Sequence, residues 1–223
     1  ARDWRASGGP LVFNSIYTSE HYDARLEQPG WSSPGFDDSA WDGVMYRGAP
    51  SQRVTAQQTV PIRNVTQYRP RSVRKLDERS YLYDFGQNMA GVTKLRLRGE
   101  AGTQLRLIHA ERLREDGHAD LSNIDVYFRP TDKDDLFQTD VVTLSGRDDE
   151  FMPRFNYKGF RYVEVVADRP VELYAENLTA YAMHSDVTPV GHIETSNDLV
   201  DKLWDATNKA YLSNLMGYPT DCP

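Results

Sequence analysis

Cysteine is all but missing. The 223 residues hold a single one, Cys222, so no internal disulfide can staple the fold and stability must come from packing. Long apolar runs are missing as well: none approaches the roughly 20 residues that a membrane-spanning helix requires, and no membrane partner is expected. Positive charge is scarce, with 26 Lys and Arg against 33 Asp and Glu and a formal net charge of −7. A nucleic-acid partner calls for a clustered basic face, and none is expected. The one basic run, "RPRSVRKLDER" at 69–79, contains two acids and reads as a solvated linker or strand edge. The opening "ARDWRASGGP" lacks the basic-then-apolar pattern of a secretion leader. Because such a leader can be removed, a secreted or periplasmic and a cytoplasmic location both stay open.

Familiar catalytic signatures are lacking too. The five histidines (21, 109, 118, 184, 192) include no close pair with zinc-ligand spacing, and one cysteine cannot build a thiolate site. There is no GxSxG elbow and no local cysteine–histidine pairing to nominate a nucleophile. "DFG" at 84–86 has the letters of the kinase metal-binding triplet without the glycine-rich loop or HRD segment that would give them that meaning. It reads instead as a tight turn capped by Asp84, with Gly86 and Gly91 supplying unusual backbone angles.

What is present is strand patterning. The first 60 or so residues combine short extended pieces such as "LVFNSIY" with turn-rich stretches, "EQPGW" and "SSPGFDDSAWDG", followed by a proline-bearing linker, "TQYRPRSV". "GVTKLRLRG" alternates, with Thr93, Leu95 and Leu97 on one face and Lys94, Arg96 and Arg98 on the other. "GEAG" then turns the chain into "TQLRLIHAERL", which predicts an antiparallel hairpin. Further strands are expected at 140–146, 160–167, 171–183 and 191–196, with 114–135 as a long excursion over an edge or end of a β-sandwich. After Ser196 the period changes: Leu199, Val200, Leu203, Trp204, Thr207, Ala210 and Tyr211 follow the spacing of one helical face. Ser196 or Asn197 can cap that helix, and Gly217 with Pro219 stops it.

Loop acids of the kind calcium prefers stand at Glu20, Asp23, Asp37 and Asp38, next to aromatics that suit sugar stacking at Tyr17, Tyr22, Trp31 and Trp41. Solvated acids and core aromatics are the plain alternative. From the residues alone the chain is β-rich, with carbohydrate binding an open role and no catalytic apparatus in view.

Four stretches, taken in order, resemble the bacterial α-L-rhamnosidases of glycoside hydrolase family 78. "WRASGGPLVFNSIYTSEHYDARLEQPGW" with "PGFDDSAWDGV" resembles their N-terminal sandwich module, and "YDFGQNMAGVTKLRLRGEAGTQLRLIHAERLREDG" the start of their second, concanavalin-like sandwich. "FMPRFNYKGFRYVEV" resembles that domain's closing strands, and "MHSDVTPVGHIETSNDLVDKLWDATNKAYLSNLMGYPTDCP" the entrance to their catalytic (α/α)6 barrel. The resemblance implies a mainly β fold: jelly-roll or concanavalin-like antiparallel β-sandwich domains followed by one C-terminal α-helix. It divides the chain into 1–68, part of a carbohydrate-binding-like module; 69–183, the second sandwich; and 184–223, a linker strand and the first barrel helix.

The same resemblance implies an inverting hydrolase that releases terminal α-L-rhamnose, one carboxylic acid protonating the leaving oxygen and a second carboxylate activating water. Both carboxylates are expected beyond Pro223, so no catalytic residue is assigned in this chain and it is expected to be inactive alone. Substrate contacts are expected at Tyr17, Glu20, Tyr22 and Asp23, with Glu20 and Asp23 the ligands of a calcium ion if one is bound, and at Asp221 on the barrel side. No other cofactor is required. The implied partners are a rhamnose-containing glycoside or polysaccharide and the remainder of the barrel, whether from the same gene or a partner chain. The alternative is a free-standing, lectin-like carbohydrate-binding sandwich. The amphipathic helix separates the two, since a finished lectin has no use for it.

Overall fold

A computed structural model describes residues 3–125 and 136–220. In chain order the strands are β1 (Arg5–Ala6), β2 (Leu11–Asn14), β3 (Glu20–Asp23), β4 (Asp42–Gly43), β5 (Ile62–Tyr68), β6 (Ser72–Lys75) and β7 (Ser80–Arg98). They continue with β8 (Gln104–Ala110), β9 (Arg112–Leu113), β10 (Ala119–Asp120), β11 (Thr139–Thr143), β12 (Asp148–Phe151), β13 (Lys158–Ala167) and β14 (Leu178–Ser185). One α-helix, α1 (Asp198–Ser213), follows.

The long strand β7 organises the fold. Its first half, Ser80–Gly91, pairs with β13 on one side and β6 on the other, whereas its second half pairs with β14 and β12. One strand thus passes from one layer to the other, and the sheet β2-β3-β11-β8-β13-β7-β14-β5 curls over on itself. Between the layers lies an apolar core of which Tyr83, Phe85, Leu95, Leu105, Leu107, Val142, Phe160, Val163 and Leu178 are members, each at most 2% exposed. This is the expected mainly β sandwich with a C-terminal helix.

The crossing is made by a local device. Phe160 faces Met89 while Tyr162 faces Asp84, so four residues of β7 bulge opposite one of β13. Gly86 sits there at φ +71, and its N–H donates to Asp84 Oδ1 at 2.7 Å. The "DFG" turn is therefore a kink inside a strand. Gly91 has an ordinary φ, and its role is close approach: a Cβ there would stand 1.9 Å from the carbonyl oxygen of Tyr181.

The predicted hairpin of residues 91–113 is corrected. Strand β8 pairs with β11 and β13, and β7 is not its neighbour. The connection at 99–102 arches between layers, with Gly102 N–H donating to the Leu144 carbonyl at 2.8 Å, so that Leu95 meets Leu105 and Leu107 across the core. Two strands with one apolar face each can pair edge to edge or stack face to face, and stacking removes both leucine rows from water. The expected strand at 171–183 begins only at Leu178, because Ala175–Asn177 form a 3-10 turn in which Asn177 Oδ1 accepts the Tyr174 N–H at 2.7 Å. Residues 191–196 form no strand, having no neighbour to pair with. Strands β5 and β6 occupy the stretch expected as a linker.

Helix α1 is capped as expected by Asn197, whose Oδ1 accepts the Leu199 N–H at 3.0 Å. It lies against β7 and β14. Past its end, Leu215 bridges Pro219 around Gly217 at φ +87, and Gly217 N–H donates to Ser185 Oγ at 2.7 Å. The chain leaving the helix is thereby tied back to the end of β14.

Candidate functional site

The candidate residues around β3 occupy different environments. On an extended strand, residues three apart point to opposite faces, and Glu20 and Asp23 do so. Glu20 is 2% exposed; its Oε1 accepts the N–H groups of Arg154 at 2.8 Å and Phe155 at 2.6 Å, while its own N–H donates to Asp140 Oδ1 at 2.9 Å. Burial pushes its pKa up, opposed by those two backbone donors. Asp23 is bound by its neighbour: Arg25 donates through Nε at 2.9 Å and Nη2 at 2.7 Å, and through its backbone N–H at 3.0 Å. This guanidinium holds the Asp23 carboxyl below its usual range.

The Tyr22 hydroxyl hydrogen-bonds to Glu27, and its ring lies 5.4 Å from that of Phe151. Burial and Glu27 raise the pKa of that hydroxyl. Tyr17 is 83% exposed. Asp37 accepts the Ser39 N–H, and Asp38 lies 4.0 Å from Arg5. Trp41 packs on Phe36 and donates its indole N–H to Gln28, while Trp31 is exposed. Among the described residues there is no group of three or more His, Cys, Asp or Glu side chains placed to hold a metal ion. Asp221 and Cys222 lie outside the described residues.

A buried polar cluster beside Glu20 was not anticipated. Lys158, which opens β13, is 3% exposed, and its Nζ donates to Asp140 Oδ1 at 2.7 Å and Asn156 Oδ1 at 2.6 Å. His109 is fully buried, with Thr93 Oγ1 2.9 Å from Nε2 and the Gln138 carbonyl 3.2 Å from Nδ1. A neutral ring fits both partners, donating through Nδ1 and accepting at Nε2. Desolvation pushes its pKa down to about 4. The sequence signal was slight: a lone lysine among aromatics in "FNYKGF". Asp140 ties Glu20 of β3 to Lys158 of β13, so the cluster joins the N-terminal strands to the sandwich. It has almost no surface, and its contacts fix strands.

One face of α1 is apolar and exposed. The helical face Leu199, Val200, Leu203 and Tyr211 is exposed, Leu199 to 72% and Leu203 to 66%, whereas Trp204, Asn208 and Leu212 form a half-buried stripe. Tyr218, beyond the helix, is also exposed. A row of large apolar groups facing water marks a surface built to be covered.

Comparison with known proteins places these features in a family. Three family models match in chain order: alpha-L-rhamnosidase N-terminal domain at 1–66, bacterial alpha-L-rhamnosidase concanavalin-like domain at 74–184, and bacterial alpha-L-rhamnosidase 6 hairpin glycosidase domain at 188–223. An alpha-L-rhamnosidase of Streptomyces avermitilis is 37% identical over 225 residues, covering 99% of this chain and 21% of that protein. One of Formosa agariphila is 32% identical, covering 99% of this chain and 23% of that protein. Among solved structures, the alpha-L-rhamnosidase from Dictyoglumus thermophilum superposes with a TM-score of 0.88 at 36% identity, over 100% of this chain and 24% of that one. The Streptomyces avermitilis enzyme complexed with L-rhamnose gives 0.87 at 36% identity, over 99% and 21%. The chain therefore spans about a fifth to a quarter of the length of the relatives it matches.

Proposed function

The chain belongs to the bacterial α-L-rhamnosidase family, and from that premise we propose that it is the non-catalytic β-sandwich portion of an enzyme releasing terminal α-L-rhamnose with inversion. Its work is architectural: the curled sandwich presents α1 and the chain after it to the catalytic domain. Residues 1–68 and 69–183 make the sandwich portion, and 184–223 the entry to the (α/α)6 barrel. On this proposal the general acid and base belong to the hairpin-glycosidase portion and not to the residues of this chain.

The observation that carries this reading is the helix. A finished sandwich gains nothing from displaying Leu199, Val200, Leu203 and Tyr211 to water, but the first helix of a helical barrel must show an apolar face to the next. The substrate class proposed is a rhamnose-containing glycoside. Within that role Glu20 serves as an anchor for the 154–155 backbone.

The test is enzymatic. The protein alone should give no detectable turnover of an aryl α-L-rhamnoside, and addition of a separately produced hairpin-glycosidase portion should restore it. Clear turnover by the chain alone would refute the assignment of both carboxylates elsewhere.

A further inference from the structure

The sheet has a second face, turned away from the core, and part of it is roofed. Across β11, β8 and β13 the register sets Thr139, Ile108 and Glu164 in one row and Val141, Arg106 and Val166 in another. Alternation puts Leu105, Leu107, Val163 and Val165 inward, so Arg106, Ile108 and Glu164 point outward. The hairpin of β9 and β10 folds back over this row. Its closing point is Glu164, only 5% exposed, whose Oε1 lies 2.7 Å from His118 Nδ1 and whose Oε2 accepts the Ala119 N–H at 2.8 Å. Arg74 fastens the turn from outside, donating to the Gly117 carbonyl at 2.9 Å.

Between roof and sheet is a cleft of about 510 Å³, with Arg106, Arg114, Asp116, His118 and Glu164 among its polar lining and Ile108, Leu121 and Leu136 among its apolar lining. Ligand sites of small molecules fall at roughly 300–1,000 Å³, and one or two sugar rings fit. The charges within it are unevenly used. Glu164 and His118 satisfy each other, and Glu164 holds His118 above its usual pKa. Asp116 accepts the His118 N–H. Arg106 and Arg114 have no carboxylate partner among the described residues, although twelve ion pairs besides His118–Glu164 are formed among them. Two guanidinium forks beside an apolar floor match a planar carboxylate attached to a ring with a C–H face.

We propose that this cleft binds a carboxylate-bearing sugar residue, a uronic acid unit of an acidic glycan, through Arg106 and Arg114. Recognition of a carboxylate rests on the cleft's own geometry. That its carrier is a sugar rests on the rhamnosidase reading above, and the experiment separates the two.

Binding of D-galacturonate, D-galactose, acetate and inorganic phosphate to the protein would be followed by amide chemical shifts and by calorimetry. Saturable binding of galacturonate is expected, at least tenfold tighter than galactose or acetate. Arg106→Ala and Arg114→Ala should each weaken it at least fivefold, and Lys209→Ala on α1 should leave it unchanged. Both arginines are surface residues, and an unchanged melting temperature certifies the variants; were Arg106→Ala to lower it, Arg106→Lys keeps charge and stem while losing the fork, and should still weaken binding. Galactose binding as well as galacturonate, or insensitivity to both arginine substitutions, would overturn the proposal. Phosphate or acetate matching galacturonate would reduce the cleft to a plain anion site and overturn its sugar component. None of these outcomes bears on turnover by the reassembled enzyme, so the cleft and the rhamnosidase reading can fail independently.

Discussion

Lys158 is a charge with almost no water around it, and its ammonium rests on Asp140 and Asn156. Removing it strands the Asp140 carboxylate, so Lys158→Met should cost about 3–5 kcal/mol, read from the urea midpoint. Pairing it with Asp140→Leu should recover part of that loss, though not all, because Asp140 also accepts the Glu20 N–H. A double variant less stable than Lys158→Met alone would count against the ion-pair account. Glu20→Ala removes a charged acceptor from two backbone donors and should cost about 2–3 kcal/mol. The cost should be equal with and without a chelator, whereas a chelator-dependent cost would restore the carboxylate to calcium. The two histidines act in opposite directions with pH. His109 is held neutral, its folded pKa about 4 against an unfolded 6.5, so its contribution is full above 6.5 and is lost as pH falls from 6.5 to 4. His118 is raised by Glu164, so its contribution is full below 6.5 and is lost as pH climbs through its folded value. Their sum peaks near pH 6.5, and His118→Gln should flatten the alkaline side alone, measured as melting temperature against pH.

At the scale of the element, β7 shows which parts of the fold could be read in advance. Alternation marked 91–98, 104–110 and 160–167, and the helical period marked α1, because those signals are local. The path of β7 through "DFGQN" was hidden, since an aspartate with a glycine two residues on resembles a turn and only the pairing with β13 shows a kinked strand. The arch at 99–102 was hidden for the same reason, as the choice between pairing and stacking is made by strands β11 and β13, dozens of residues away. The buried cluster was least legible, for Glu20 meets its donors 134 and 135 residues later in the chain. The two glycines of β7 give a test of this account. Gly86→Ala places a side chain at φ +71 and displaces the flexible Arg71 chain, at a cost of about 1–2 kcal/mol. Gly91→Ala drives a Cβ into the Tyr181 carbonyl, which cannot move without breaking the β7–β14 ladder. It should be the more harmful of the two, by at least about 2 kcal/mol, in urea unfolding. Equal costs would mean that the β7–β14 pairing does not depend on this close approach.

The whole molecule combines a well-filled core with an exposed apolar face on α1. Leu105, Leu107, Val142, Leu178 and Phe160 have no contact with water, while Leu199, Leu203, Tyr211 and Tyr218 stand more than half exposed. The sandwich therefore does not depend on that face of α1, and the two can be perturbed separately. Leu199→Glu with Leu203→Glu should leave urea unfolding of the protein within about 0.5 kcal/mol of the parent, as for surface changes generally. In the reassembly assay the same pair should abolish at least nine-tenths of restored rhamnoside turnover, because two charges would enter the apolar seam proposed above between α1 and a following barrel helix. Leu178→Ala supplies the opposite control: a core cavity costing about 2–5 kcal/mol, with turnover retained at temperatures where the variant stays folded. If the glutamate pair assembled normally, the exposed face of α1 would not be the seam, and the coupling between sandwich and catalytic domain would have to run through β7 and the segment around Gly217 instead.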